Sequence, residues 1–549
     1  MSFGLGKKKE PTEHQIEAGE PEIDRDEQLL RELGYKQDLS RSISGFSNFA
    51  IAFSCCSVLS GLTPLWGDAM VDAGSLSVIW GWTITAFFTT LVAMSLAEIC
   101  SAFPTTGGLY FWVSRLANSS WMPLACWLTG WFNWISYSFG VTSIALGCSQ
   151  FIAGIIRIWQ PETDTSVYVQ YGIFVGICLL YGIINSVAVK FNGLINQAAF
   201  YINMLGILFI VIVGLALTKP LNTGSFVFSE FYNGSGFGNN GYAFLLVILQ
   251  SQYTLSSYDG AAHMAEETKN SQHGSPFGIL TAVLANAITG FLFLVAVSFM
   301  VKDFDAQILS DSAIQPQLVQ VFLDACGSHW TLVFVIFIML SIFFCGSSLT
   351  LAASRMVYAF SRDKAMPFST YLHTLDKRTN NPVIAVWFNI AVAVIVGVLY
   401  MINSTAFEAI VSVNTIGAQA SYLIPIFLRI TVSRKTFKPG PWSLGRFSTI
   451  CGVLSCCWLL FTCVLFILPT EGPVTPDNMN YAIVPFAFIM ACSSLYFYFF
   501  ARHWFTGPVR VIDGQEVVLG DEDDDSIAPK SDPSSTQKGS VQHVEEKEV

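Results

Sequence analysis

Gln250-Ser251-Gln252-Tyr253-Thr254-Leu255-Ser256-Ser257-Tyr258-Asp259-Gly260 interrupts an apolar run, residues 241–265, that is long enough to cross a bilayer. A spanning helix needs about 20 apolar residues. Lipid offers no partner to a backbone amide that leaves its helix. Hydroxyls, carboxamides and a carboxylate packed beside a glycine therefore predict a helix that breaks at mid-membrane, with its freed amides and carbonyls lining a cavity. The same signature occurs in the first apolar run, as Ala52-Phe53-Ser54-Cys55-Cys56-Ser57-Val58-Leu59-Ser60-Gly61-Leu62-Thr63-Pro64. Broken helices at corresponding positions of two halves point to a transporter with inverted repeats and a site at the midplane. Small residues also let membrane helices pack closely, but two stretches at repeat-related positions argue against packing alone.

Outward from these stretches, apolar runs lie near 44–72, 77–103, 121–155, 167–189, 193–217, 241–265, 276–301, 330–360, 382–402, 406–430, 447–468 and 481–503. Twelve spans are expected, and the broken ones, 1 and 6, each open a block of five. The expected fold is an all-α integral membrane protein with repeats at 43–217 and 241–430 and peripheral helices 11 and 12 at 447–503. Together these make a membrane domain over 43–504, flanked by polar tails at 1–42 and 505–549. Only 12% of the 549 residues are charged and 52% are hydrophobic, against roughly 25% charged in soluble domains. Such a composition excludes a cytosolic enzyme or a disordered chain. The net charge of −11, without a basic patch, excludes nucleic-acid binding.

Twelve spans put both tails on one side. Of the 28 Lys and Arg, all but Arg157, Lys219 and Lys302 fall on that side, so the positive-inside rule makes both tails cytoplasmic. Glycosylation is then expected at Asn233 and Asn403, outside, and not at Asn118, inside. No apolar stretch occurs in the first 42 residues, so the first span serves as the targeting signal. The tails, with Lys7–Lys9 at one end and the acidic run Gly520–Asp525 at the other, are too polar to pack. Lys7–Lys9, Lys530, Lys538 and Lys547 are candidate acceptors for a ubiquitin ligase or its adaptor, and Ser526, Ser531, Ser534 and Ser535 for phosphate. The 13 cysteines lie almost all in apolar runs, where thiols act as small hydrophobes. Neither a disulfide framework, a metal nor another cofactor is expected.

Charge at membrane depth marks function by default. Asp259, His263 and Glu267 are spaced i, i+4, i+8 and share one face of a continuous helix. They form a carboxylate–imidazole–carboxylate row able to carry a proton. The competing reading is that Glu266 and Glu267 end the helix and are solvated or paired with loops. Glu98 reads as a partner in an inner gate, and Glu408 as a solvated residue at the outer surface. HExxH, GxSxG and paired inward carboxylates are absent from the sequence, so no enzyme activity is expected.

Three motifs together resemble a known family. Residues 93–116 read AMSLAEICSAFPTTGGLYFWVSRL, 257–270 read SYDGAAHMAEETKN, and 353–367 read ASRMVYAFSRDKAMP. Over about residues 35–505 the chain resembles the amino acid–polyamine–organocation permease superfamily. The H-M-x-E-E variant is similar to its eukaryotic amino acid/choline branch, with its fungal γ-aminobutyrate and choline permeases. The resemblance implies a LeuT-like 5+5 inverted repeat with broken helices 1 and 6, and secondary active transport of an amino acid, usually by proton symport.

Carried over to this chain, Leu59-Ser60-Gly61-Leu62 matches the span-1 break, lacking the family's first glycine. The amides around Ser57, Ser60 and Gly61 would hold a substrate carboxylate. The stretch Tyr253, Thr254, Ser256, Ser257 and Tyr258 would hold the amino group, with Tyr253 or Tyr258 as a gate. Some proton-coupled relatives have a lysine within span 5; here only Lys190 stands before it. Ser347, Ser348 and Thr350 on span 8 offer hydroxyls to a sodium ion, or bond their own helix.

Rival readings are a choline or polyamine transporter and a nutrient sensor that binds without transport. A quaternary amine wants an aromatic cage, which Trp131, Trp134 and Tyr137 with Tyr253 and Tyr258 would supply. The expected residence is the plasma membrane, with a vacuolar or other endomembrane as the alternative.

Overall fold

A computed structural model describes residues 25–35, 37–160, 162–187, 191–310, 313–402, 406–476, 478–512 and 515–518. Lys190, Asn403, the Lys7–Lys9 run and the tail beyond Val518, with its acidic run and its candidate acceptors, lie outside the described residues. The helices in chain order are α1 (Arg25–Glu32), α2 (Gly45–Cys55), α3 (Val58–Ala102), α4 (Leu109–Leu116), α5 (Met122–Trp159), α6 (Val167–Val187) and α7 (Asn192–Leu217). Four short ones follow: α8 (Gly224–Phe228), α9 (Asn240–Leu246), α10 (Ile248–Thr254) and α11 (Gly260–His263). Then come α12 (Ser271–Met300), α13 (Gln317–Cys326), α14 (Ser328–Arg362), α15 (Ser369–Leu372), α16 (Val383–Gly397), α17 (Ala406–Ile430), α18 (Ser448–Leu465) and α19 (Ile483–Phe499).

Ten helices among the described residues are long and apolar enough to cross a membrane, rather than twelve. Both missing runs have a physical cause. The first candidate, Gly45–Ala102, is 58 residues long and joins the expected spans 1 and 2. At about 1.5 Å per residue such a rod would measure almost three times a hydrocarbon core of about 30 Å. It is not one rod: Gly74, at φ 70° and ψ −178°, breaks α3 between the two expected runs. A side chain there would be strained, because its Cβ would also lie 3.0 Å from Tyr232. The expected span 6 is divided among α9, α10 and α11, none of which is long enough alone.

The buried centre is built from α2, the first half of α3, α5, α10, α14 and α17. α12 packs along α3 and α2, while α17 and α14 pack along α5. Apolar side chains on the outer helices face outward, Ile212, Ile395 and Phe488 being 64%, 69% and 68% exposed. In water such a surface would be a liability, whereas in lipid it costs nothing.

Two parts of the expected tails have structure. α1 and the segment after it fold back on the membrane domain because Leu30, Leu33, Tyr35 and Leu39 give that stretch an apolar face to bury. Ile43 pairs in parallel with Thr268, so the amino-terminal segment is tied to the chain just beyond α11. At the other end, Val509–Ile512 and Gln515–Val518 form an antiparallel pair, the only two strands among the described residues.

Candidate functional site

The first break lies between α2 and α3. Cys56 (φ −107°, ψ 36°) and Ser57 (φ −67°, ψ 133°) leave the helical region before α3 begins at Val58. The unpaired groups are met from neighbouring helices: Asn286 of α12 accepts from the Val58 amide at 3.2 Å and donates to the Phe53 carbonyl at 3.4 Å. The Ser57 hydroxyl donates to Asn203 Oδ1 of α7 at 2.5 Å and lies 3.0 Å from the Ser341 hydroxyl of α14. Ser341 also donates to Asn203.

In the second break, Leu255 and Ser256 follow α10, and Ser257 adopts a left-handed backbone with φ 60°. That conformation is uncommon for a residue with a side chain and is held from outside. The Ser257 amide donates to the Tyr422 hydroxyl of α17 at 3.1 Å. The Tyr253 and Ser143 hydroxyls are bonded at 2.8 Å.

The two breaks touch. A Cβ added to Gly61 would lie 2.6 Å from Thr254 Oγ1 and 2.7 Å from its Cα, so the absence of a side chain is what brings α3 against α10. Around this contact Ser57, Gly61, Tyr253, Thr254, Ser256 and Ser257 line one cavity. It measures about 10 Å³, on the order of a single water.

Three of the expected binding residues are placed elsewhere. The Ser60 hydroxyl donates to the Ser57 carbonyl at 3.3 Å within the helix start. Tyr258 packs on Tyr422, ring centroids 5.2 Å apart. Trp134 turns its indole to Asn389 of α16 at 3.3 Å, and with Trp131 it borders an apolar groove along α19. The expected aromatic cage is therefore not assembled at the cavity. The spacing of a stripe along α5 is right, but α16 and α19 are the neighbours it meets. The cavity also recruits residues not anticipated from the sequence, among them Cys55, Gly140, Cys345 and Asn414. Asn414 carries a signal of its own: it is a carboxamide inside an apolar run.

Below Ser257 lies a buried polar centre. Asp259 Oδ1 accepts from Tyr422 at 2.6 Å and from Tyr137 at 3.1 Å. Its Oδ2 accepts from Asn133 Nδ2 at 2.8 Å and lies 3.3 Å from His263 Nε2. The imidazole meets only oxygens: the Thr106 carbonyl at 3.0 Å from Nδ1, and Asn133 Oδ1 at 3.0 Å from Nε2. Turning the Asn133 amide over would aim its oxygen at the carboxylate, so its orientation follows from its partners. Oxygen atoms thus face both ring nitrogens.

The expected proton row stops there. α11 ends at His263 and gives way to a tighter turn over Ala265–Glu267, so the i+8 step no longer falls on the same face. Glu267 pairs instead with Arg355 of α14, Nε to Oε1 at 2.9 Å. Arg355 also donates to Asn381 at 2.8 Å. Glu266 is fully buried, accepts from the Thr106 amide at 3.0 Å and pairs with Arg362 at 3.3 Å. Neither carboxylate is solvated. Replacing Arg355 with alanine leaves Glu267 buried without its cation. The expected loss is about 3–5 kcal/mol of stability, read as a lower unfolding temperature of the purified protein in detergent and recovered in part by adding Glu267→Gln.

The amino-terminal segment closes over these pairs. Gln37 donates to the Glu266 carbonyl at 3.0 Å and Arg41 to the Thr268 carbonyl at 3.1 Å. The Arg362 guanidinium sits 4.0 Å from the centroid of the Tyr35 ring. Tyr35 and Tyr110 both donate to Asp363 Oδ2, at 3.1 and 2.8 Å. Burial, reinforced by the Asp363 carboxylate, holds the Tyr35 phenol well above its usual range, so it remains a donor.

Glu98 takes a different place. It pairs with Arg429 at 3.7 Å and accepts from the Leu444 amide at 3.1 Å, fastening α3 to α17 and to the approach to α18. Ser347 and Ser348 diverge: Asn185 donates to the former at 3.2 Å, and the latter donates to Asn196 at 2.6 Å. Asn233 directs its amide hydrogens to the Phe237 carbonyl and Asn240 Oδ1, at 2.9 and 3.0 Å.

Residues 43–491 match the family model described as amino acid permease. Over 506 residues the chain is 37% identical to Amino-acid permease BAT1 of Arabidopsis thaliana, covering 90% of this chain and 98% of that one. It is 38% identical over 500 residues to the BAT1 homolog of Oryza sativa subsp. japonica, covering 88% and 96%. It is 30% identical over 518 residues to the GABA-specific permease of Saccharomyces cerevisiae, covering 92% and 90%.

Proposed function

Because this chain belongs to the amino acid permease family, and so is a membrane transporter, we propose that it carries an amino acid such as γ-aminobutyrate by proton symport. The observation that carries the reading is the meeting of two broken helices at Gly61 and Thr254, directly above the Asp259–His263 pair. In this reading the chain crosses the membrane twelve times, with α2 and the first half of α3 as span 1 and α9 to α11 as span 6. Spans 1–5 and 6–10 are inverted repeats, and both termini face the cytoplasm, as the Lys and Arg distribution favours. The plasma membrane is the favoured residence.

The helix-start amides of α3 present partial positive charge to a substrate carboxylate. The carbonyls that end α10 and the Ser256–Ser257 backbone present the opposite charge to its ammonium. Tyr422 joins this half of the site to the proton: it accepts from the Ser257 amide and donates to Asp259. A change in the charge of the Asp259–His263 pair therefore alters the bond that fixes the left-handed turn at Ser257.

A proton suits this site better than sodium, because Ser347 and Ser348 engage different helices and no carboxylate joins them among the described residues. The quaternary-amine reading loses its support with the aromatic cage. The test is uptake by purified protein in liposomes under an imposed pH gradient, with radiolabelled γ-aminobutyrate, neutral and basic amino acids, and choline in parallel. Accumulation of an amino acid that collapses with a protonophore is expected. Accumulation of choline alone, or accumulation indifferent to the pH gradient, would overturn the substrate or the coupling ion respectively.

A further inference from the structure

α18, the expected eleventh span, stands outside both five-helix blocks and packs on α17 and on α3. One face of it, with Val453, Leu460 and Val464, is exposed. The opposite face carries its one tryptophan, Trp458, which is buried. The ring is stacked on Phe88 of α3, with centroids 4.6 Å apart and planes 6° from parallel. A buried indole N–H wants an acceptor, and this one finds it in α10: Trp458 Nε1 donates to Gln252 Oε1 at 2.9 Å. Gln252 is itself buried. Its oxygen also accepts from the Thr89 hydroxyl of α3 at 3.3 Å, and its nitrogen donates to the Leu255 carbonyl at 3.4 Å.

The order of these bonds has a direction. A carboxamide has an accepting end and a donating end, and its neighbours decide which lies where. An indole nitrogen only donates, so Trp458 holds the Gln252 oxygen on the α18 side. The amide hydrogens are thereby turned towards the second break. Leu255, at φ −90° and ψ 50°, is the first residue beyond α10. Its amide still bonds back to Ser251 at 3.1 Å, but its carbonyl has left the helix. A buried carbonyl without a donor is costly, and Gln252 supplies the donor from three residues upstream. The residues that follow directly, Ser256 and Ser257, line the cavity between the two breaks.

We propose that Trp458 is a positioning residue for the substrate: through Gln252 it sets the direction of the Leu255 carbonyl and of the Ser256–Ser257 backbone that receives the ammonium. α18 is then part of the binding apparatus, although Trp458 touches no substrate. Phe88 and Thr89 bring α3 into the same arrangement, so three helices meet at one carboxamide. The inference rests on the amino acid reading above, and the two fail in different ways.

The test is uptake into liposomes of radiolabelled γ-aminobutyrate, and of any other amino acid the uptake panel identifies, with KM and maximal rate measured separately. Trp458→Phe keeps a ring on Phe88 and removes the N–H. Its KM should rise about tenfold, the scale of one buried hydrogen bond, while the maximal rate stays within about twofold. Gln252→Met has a similar length and removes both ends of the relay, so its KM should rise at least as far. The double variant should show no higher KM than Gln252→Met alone, because Trp458 acts through Gln252. A tryptophan that only packs would lower the unfolding temperature and leave KM in place. An unaltered KM in Trp458→Phe, or increases that multiply in the double variant, would overturn the positioning role while leaving the permease reading intact. Should Trp458→Phe not fold, an unaltered KM in Gln252→Met overturns it alone. A wild type that transports no amino acid would remove both.

Discussion

Gly61→Leu is expected to lower uptake by more than about a hundredfold in protein that still inserts. The reason begins at the first atom of the new side chain. Its Cβ would stand 2.7 Å from Thr254 Cα as well as 2.6 Å from Oγ1, and no rotamer change removes a backbone atom. α3 and α10 must separate, or the cavity between Ser57 and Ser256 must accept a branched side chain in a space of about 10 Å³. Overpacking of this kind costs about 1–3 kcal/mol per well-packed site. The penalty falls on the closed arrangement of the two breaks more than on the rest of the fold. Gly61→Ala brings the same Cβ without the branched remainder and should give a smaller loss of uptake, roughly tenfold, with an unfolding temperature below that of the wild type. Normal transport by correctly inserted Gly61→Leu protein would remove the contact between the breaks from the mechanism.

The second large effect is expected at Asp259. Four donors converge on its carboxylate: Tyr137, Tyr422, Asn133 and His263. The amide of Asp259→Asn has one accepting oxygen and brings two hydrogens of its own, so at least one neighbour is left facing a donor. A buried group without its partner costs about 1–3 kcal/mol. Accumulation driven by a pH gradient should fall by about a hundredfold, while exchange of labelled for unlabelled substrate at equal pH on both sides persists. Gradient-driven accumulation at the wild-type rate would take the coupling role away from Asp259.

Which of these features the sequence discloses depends on how far each signal reaches along the chain. The breaks are local: hydroxyls and a glycine inside an apolar run mark where the backbone leaves its helix, and the helices are interrupted at Cys56–Ser57 and Leu255–Ser257. Asp259 and His263 sit four residues apart and meet as a helix predicts. Glu267 does not, because the i+8 extrapolation assumes a helix that continues, and α11 ends at His263. Trp134 illustrates a different limit. Spacing assigns it to a stripe with Trp131, but which neighbour the stripe faces is decided by α16 and α19, hundreds of residues away in sequence.

Asn133, Asn203, Asn286 and Asn414 escape a reading that weighs only charged groups. A carboxamide in an apolar run is also costly to bury alone, and these four organise the breaks and the Asp259 centre. The average composition of the amino-terminal segment is that of a polar tail. The average conceals Leu30, Leu33, Tyr35 and Leu39, all of which are buried.

The pairing of the amino-terminal segment with the chain beyond α11 has a consequence for biosynthesis. Arg41 and Thr268 are separated by 227 residues. At about 5–20 residues per second the ribosome needs roughly 10–45 s to cover that interval. Throughout it, Glu266 and Glu267 have not yet been synthesised, and the amino-terminal segment has only its earlier partners on α4, such as Phe111 and Arg115, to meet. Arg355 and Arg362, their cations, emerge later still. The cluster that joins Glu266, Glu267, Arg355 and Arg362 to the amino-terminal segment can therefore assemble only when most of the chain has been made, making it one of the last parts of the nascent protein to mature.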